Sequence, residues 1–355
     1  MYGSRRRMAL GALLLIGIIL STLVGRLAWE WTQALNDVNA MIVPQVQLPP
    51  TATAILQDDS QPQQSTTINS VNDRASLPQA TDIPPAPDEP TNLLLMGTDM
   101  RPGQQTTRTD AMIFVHIDAR NSYASMLSFP RDLWVDIPGY GENRINAAYQ
   151  IGESKLGPGY GGALAKETVS NLMGVPVHHF VLIDFNGFKK VIDLLGGITI
   201  DVPKAIDDPL YPTEDYSTIK LHFDAGVQTM SGERALQYAR TRHADSDFGR
   251  NQRQQQVLMA IFNRIREKGL LDQLTSINDY TSAMRDYIRT DLTRSDMLSL
   301  AKSATNLRQE NVQRYAIDSS MIYGLEQPAT FAANPEELRN LADVMTDTIP
   351  PEQTP

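Results

Sequence analysis

The sequence predicts an α/β fold: a layered αβα domain with a central mixed sheet, preceded by one transmembrane helix and a disordered linker. Three observations predict it. From Thr91 onward, short apolar runs alternate with helix-length amphipathic stretches. A long apolar run follows three arginines near the N-terminus. Between these regions the apolar period is lost to Pro, Gln, Thr, Ser and Asp.

Arg5, Arg6 and Arg7 precede the apolar run Met8–Gly25. At helical rise, about 18 residues reach roughly 27 Å, enough to span a bilayer core. The arginines keep the N-terminus cytoplasmic and place the rest outside, with Trp29 and Trp31 near the outer interface. A cleaved signal peptide is the competing reading. The run is longer than a usual signal core, and no small-x-small cleavage site follows it, so an uncleaved anchor is preferred. The expected organisation is therefore a cytoplasmic N-terminus (1–7), an anchor (8–27), a juxtamembrane segment and disordered linker (28–90), an extracytoplasmic domain (91–345) and a flexible tail (346–355).

Within the domain, "NLLLMG" (92–97), "DAMIFVHID" (110–118), "YASMLSF" (123–129) and "HHFVLID" (178–184) read as strands, with a shorter one in "GGITIDVP" (196–203) and a late one in "NVQRYAID" (311–318). "GGALAKETVSNLMG" (161–174) and "NGFKKVIDLLGG" (186–197) are helical and stop at glycine. "SGERALQYAR" (231–240) opens on Ser231 as N-cap. Residues 249–269 form a long helix with Val257, Leu258, Ile261 and Ile265 on one face. "TRSDMLSLAKSATNL" (293–307) begins with a capping-box pattern.

The formal net charge of −10 excludes a broad nucleic-acid-binding surface. The absence of cysteine excludes disulfides, Cys-based zinc sites and Cys nucleophiles. The five histidines show no metal-binding spacing, and neither a G-x-S-x-G elbow nor a P-loop occurs.

Against this acidic background, "RTRHADSDFGRNQRQQQ" (240–256) gathers Arg240, Arg242, Arg250 and Arg253. Arginine grips phosphate oxygens with paired hydrogen bonds. Arg240 and Arg242 follow one helix. Arg250, Arg253 and Gln254 share a face in the first turns of the next, where free N–H groups also favour an anion. The bland alternative is a helix start balanced by Asp245 and Asp247, but surface pairs of that kind contribute little and leave the clustering unexplained. His243, beside the arginines, is the one histidine to watch.

Asp99 follows the first strand and Asp110 opens the second, with Arg108 between them and Arg131 after the third. If the first two strands are neighbours, the two acids share a corner suited to Mg²⁺ on a polyphosphate. As turn-stabilising acids they would need no ligand. Asn146 and Tyr149, in a loop or helix start, add a weak signal.

In order along the chain stand "LLLMGTD", "RTDAMIFVHID", "SFPRDLWVDIPG", "RINAAYQIG", "FVLIDFNGFKKVIDLLGGITIDVP" and "ALQYARTRHADSDFGRNQRQQQV". These blocks, covering residues 91–268, resemble the LytR–CpsA–Psr proteins of the bacterial cell envelope. The resemblance implies an enzyme that moves a glycopolymer, such as teichoic acid or capsular polysaccharide, from a polyprenyl-pyrophosphate carrier onto peptidoglycan at the cell membrane. It implies Mg²⁺ held by Asp99 and Asp110, and phosphate oxygens held by Arg108, Arg131, Arg240, Arg242 and Arg250. It places Asp247 and Gln254 near the head group and Arg253 at a neighbouring basic position. Asp247 or Asp99 would serve as general base. The family fold also has a deep apolar pocket for the polyprenyl tail, whose residues the sequence does not separate from core. Two rival readings share these residues: a non-catalytic polyprenyl-phosphate-binding regulator, and a hydrolase that passes the glycan to water.

Overall fold

The computed structural model describes residues 32–49, 89–100, 107–213, 217–242, 247–275, 277–317, 321–324 and 331–347, without the side chains of 247 and 269–280. The expected anchor, Trp29, Trp31 and His243 lie outside the described residues. Among the described residues, no helix is long and apolar enough to cross a membrane.

The first three strands are β1 (Thr91–Thr98), β2 (Thr109–Asp118) and β3 (Tyr123–Ser128). A short pair, β4 (Leu133–Ile137) and β5 (Gly141–Arg144), leads to a helical turn, α2 (Ala148–Ile151), and to α3 (Tyr160–Met173). Next come β6 (His179–Asp184), α4 (Phe185–Leu194) and β7 (Ile198–Val202). The ribbon β8 (Ile206–Pro212) and β9 (Thr218–Phe223) precedes β10 (Gly226–Met230), α5 (Gly232–Arg240) and α6 (Asp247–Thr275). The chain closes with α7 (Ile277–Met284), β11 (Ile288–Thr290), α8 (Arg294–Asn306), β12 (Val312–Ala316), β13 (Ile322–Gly324), β14 (Phe331–Ala333) and α9 (Pro335–Thr346).

The central sheet runs β11-β6-β1-β2-β3-β12. It is mixed: β1–β6 and β3–β12 are parallel, and the other pairs are antiparallel. Strand alternation sends successive side chains to opposite faces. Leu94, Met96, Met112, Phe114 and Leu127 join α3 and α9 in one core, through Leu164, Val169, Leu338 and Ala342. Leu93, Ile113, Val115 and Met126 face the other way, toward Met259 of α6. The three-layer architecture expected from the alternation of elements is the one found.

Local signals set several helix ends. Ser231 Oγ accepts from Arg234 N at the start of α5. Thr293 and Asp296 form both halves of the capping box of α8. Gly174, at φ 75°, ends α3 in the left-handed region that glycine favours. Gly232 allows α5 to lie against α4: a Cβ there would collide with the Lys189 backbone. This close approach fixes where Arg240, at the far end of α5, emerges.

Residues 43–49, inside the expected juxtamembrane and linker segment, lie against the domain instead. A helix, α1 (32–41), precedes them. Asp37 pairs with Arg285 at 3.1 Å, Asn39 accepts from Arg294 at 2.7 Å, and Val43 N donates to Thr290 O at 2.8 Å. Ala34 and Met41 are buried. Part of the segment expected to be juxtamembrane and linker is thus helical and packed on the domain. Ile265, expected on the apolar face of α6, is exposed.

Candidate functional site

Between the sheet and α4, α5 and α6 lies a cavity of about 650 Å³. Its floor is the β-face carrying Leu95, Ala111, Ile113, Val181 and Ile183. Phe185 and Phe188 of α4, Leu236 and Ala239 of α5, and Val257, Leu258 and Ile261 of α6 wall it. Alternation in the strands and the 3.6-residue period in the helices turn one apolar side of each element inward, and the elements leave a gap between them. Polar groups are confined to Asp110, Arg131, Arg240, Arg242, Arg250 and Gln254. Guanidinium charge therefore outweighs carboxylate at one end of an otherwise apolar space.

Strand pairing brings the backbone after β1, which carries Asp99, beside the start of β2, which carries Asp110; Asp110 lines the cavity and Asp99 stands outside its lining. β1 and β2 are antiparallel neighbours, and their register slips between Gly97↔Ala111 and Thr98↔Thr109. Asp110 is the extra residue in that bulge. A bulge of this kind re-aims a side chain, here into the cavity. Asp110 Oδ1 accepts from Arg131 Nη1 at 3.1 Å, and Arg131 also approaches Asp132 at 3.4 Å. Asp99, just past β1, lies 3.7 Å from Arg240 Nη2. The donor set suits a hard divalent cation shared with a ligand. Asp99 and Asp110 would supply two oxygen donors, and no cluster of three or more His, Asp or Glu suited to a metal exists among the described residues. Phosphate oxygens and water would complete a Mg²⁺ shell there.

Arg240 is held by its surroundings as well as by Asp99. Its guanidinium stacks over the Phe185 ring at 4.4 Å and donates to Tyr211 Oη at 3.4 Å. Planar stacking of this sort leaves the edge N–H groups available to an anion. Arg242 is exposed at the rim, and Arg250 is 4% exposed within the cavity wall. Tyr211 itself ionises above its ordinary range because it is buried.

The other candidate residues are placed differently with respect to the cavity. Arg253 does not line the cavity. It is buried, and its guanidinium donates to the Tyr238 carbonyl at 3.1 Å and to the Thr241 carbonyl. Arg253 is a brace for the segment that carries Arg240 and Arg242. Arg108 is exposed and also stands outside the cavity lining. Asp247 opens α6, but its side chain lies outside the described residues. Asn146 and Tyr149 are buried, Tyr149 within the main core, and neither lines the site. Gln254 does line it, while Gln255 turns to Ser128 and the Tyr315 carbonyl, and Gln256 accepts from Tyr238 Oη at 2.7 Å.

Asp208 was missed. It is 1% exposed, and its carboxylate accepts from Thr241 Oγ1 at 2.5 Å and from the Arg242 backbone N at 3.2 Å. Asp208 and Arg253 thus grip the extended residues 241–242 from opposite sides. The only signal in the sequence was an acid in "IDDPLYP".

An α/β domain whose apolar cavity ends in a guanidinium-rich mouth defines a site for an amphiphile with an anionic head. A sequence model of the LytR_cpsA_psr family matches residues 46–345, and the chain belongs to that family. It is 35% identical, over 61% of its length, to a protein of Oceanobacillus iheyensis named polyisoprenyl-teichoic acid–peptidoglycan teichoic acid transferase TagU. It is 32% identical, over 66% of its length, to the Bacillus subtilis transferase TagV. These matches span 62% and 58% of those relatives. The crystal structure of B. subtilis TagV is similar over 74% of this chain and 99% of that one, with a TM-score of 0.59 and 30% identity.

Proposed function

We propose that this protein is a Mg²⁺-dependent phosphotransferase. It would move a glycopolymer from a polyprenyl-pyrophosphate carrier onto peptidoglycan and leave a phosphodiester link. The observation that carries the reading is the cavity: an apolar space large enough for prenyl chain, closed at one end by Arg131, Arg240, Arg242 and Arg250 beside Asp110. The names of the relatives support the same donor and acceptor classes.

In this reading the polyprenyl tail fills the cavity between sheet and helices, where each buried methylene contributes about 0.8 kcal/mol. The arginines bind the pyrophosphate at its mouth. Arg240, fixed by Phe185 and Tyr211, and Arg250, fixed in the wall, are in place before substrate arrives and meet growing charge without rearrangement. A bound Mg²⁺ would neutralise phosphoryl charge, with Asp99 and Asp110 as its protein ligands. An acceptor hydroxyl attacks the glycan-proximal phosphorus. The phosphorus–oxygen bond to polyprenyl phosphate breaks, that phosphate leaves with the bonding electrons, and the hydroxyl proton passes to a carboxylate of the corner or to water. The pyrophosphate bond supplies the driving energy. We further propose that residues 8–27 anchor the chain in the cell membrane, with the domain outside.

The test is a variant series in which polyprenyl phosphate release and glycan mass are followed together. Loss of both in Asp110→Ala and Arg240→Ala supports the reading. Release with the glycan ending only on water would favour a hydrolase.

A further inference from the structure

A second, four-stranded sheet stands beside the catalytic corner, in the order β13-β14-β4-β5. Its registers align Tyr323 with Ala332, Ala332 with Trp134, and Trp134 with Arg144. Residues directly opposite on paired strands point to the same face, so these four form one row. Burial confirms which face. Leu133, Val135, Ile137 and Ala333 are buried in the main core, whereas Tyr323 is 54% exposed and Trp134 and Arg144 are partly so. Asp136 and Glu142, paired in the next row, are exposed on the same outer side.

This face combines rigid aromatic surface with polar groups of both signs. Trp134 Nε1 donates to Glu142 Oε2 at 3.2 Å, which holds the indole in place. Tyr323 stands two strands away, roughly 10 Å at ordinary strand spacing. Ala332 between them is too small to fill the gap. Arg144 is balanced by Asp132 at 3.4 Å, so the face offers no surplus positive charge for a phosphate. The row also runs into the reaction centre. Arg144 pairs with Asp132, Asp132 with Arg131 at 3.4 Å, and Arg131 with Asp110 at 3.1 Å.

We propose that this outer face is the acceptor subsite, and that its occupant is a glycan strand of pyranose sugars. Pyranose rings present C–H faces that pack on aromatic rings, and hydroxyls around their rims. Trp134 and Tyr323 take the ring faces. Glu142 and Asp136 accept hydroxyl hydrogen bonds, and Arg144 donates to ring substituents. A strand lying along the row brings its end toward Asp132 and Arg131, beside the phosphorus that its hydroxyl attacks. The assignment rests on the transferase reading for the identity of the reaction, but binding of glycan to this face is independent of turnover.

The chain has three tryptophans, Trp29, Trp31 and Trp134. Full-length protein carrying Trp29→Phe and Trp31→Phe keeps Trp134 as its sole indole. Titrating it with peptidoglycan oligosaccharide, without donor, should give a saturable change in emission. Tyr323→Ala in that background should weaken the apparent affinity about threefold to tenfold, the worth of one aromatic contact. In turnover, Tyr323→Ala should raise the acceptor KM by the same factor and leave donor binding unchanged. An unresponsive emission together with an unchanged acceptor KM overturns the proposal. If the parent transfers nothing to peptidoglycan yet its emission still responds and Tyr323→Ala weakens that response, the transferase reading fails while the glycan face stands.

Discussion

Arg131 Nη1 and Asp110 Oδ1 meet at 3.1 Å at the mouth of the apolar cavity, one in the turn between β3 and β4 and the other in the bulge of β2. Each is a quarter to a third exposed, and such pairs contribute about 1 kcal/mol or less to stability. The pair therefore serves the site more than the fold. Asp110→Ala should lower transfer by at least about 100-fold, as loss of a transition-state electrostatic contact does, and leave the denaturation midpoint nearly unchanged. Parallel turnover and urea unfolding check this. A large stability loss would mean that Asp110 is structural.

Asp208 and Arg253 should behave in the opposite way. Both are buried, and both act on residues 241–242 rather than on the cavity. Removing one partner of a buried charged network costs about 3–5 kcal/mol. Asp208→Ala should show that loss in urea unfolding. Asp208→Asn, which keeps an acceptor for Thr241 or Arg242, should lose less. In the Asn variant the donor KM should rise, because Arg242 is no longer fixed.

The cavity makes a steric prediction. Leu258 lies partly buried on α6 and lines the space. Leu258→Trp should fill it, weakening binding of long-chain polyprenyl phosphate at least about tenfold, the equivalent of 1.4 kcal/mol, while a short prenyl pyrophosphate still binds through the arginines. Equal loss for both chain lengths would indicate damage to the mouth instead.

A histidine pair gives the pH dependence. His116 and His178 both sit beside Asn92, which accepts from His116 through its side chain at 2.7 Å and donates its backbone N–H to His178 Nδ1 at 2.9 Å. Burial lowers the pKa of each below the ordinary 6.5. The unfolded chain therefore binds protons at these positions more readily than the folded one. Their contribution to stability is present above about pH 6.5 and is lost as pH falls through the folded values. Thermal midpoints should drop between pH 7 and 5, and His116→Gln should flatten that slope.

Much of the fold was legible because its central strands and helices carry their own signals. β1, β2, β3 and β6 alternate or run apolar, and α5 and α8 announce their starts with Ser231 and Thr293. The ribbon β8–β9 was not legible. Asp207, Asp208 and Pro209 carry no strand signal, and Pro209 is tolerated because the pairing is irregular there. The second sheet was hidden for a similar reason: β13 and β14 are three residues each, and their pairing with β4 is a tertiary fact. At the site, residue type pointed to phosphate, but direction did not follow from type. Arg250 and Arg253 stand three apart on one helix, yet one lines the cavity and the other braces the loop behind it. The cavity walls were indistinguishable from core because Val257 and Leu258 obey the same apolar period as any buried helix face.

The most direct measurement reconstitutes full-length protein with a polyprenyl-pyrophosphate-linked glycan, peptidoglycan oligomers and Mg²⁺, and follows the mass of the glycan and the release of polyprenyl phosphate. The account predicts that glycan joins the oligomer through a phosphodiester, with one polyprenyl phosphate released per link, and that both stop in Arg240→Ala. Tight lipid binding with neither release nor transfer, whether or not Mg²⁺ is supplied, would contradict it.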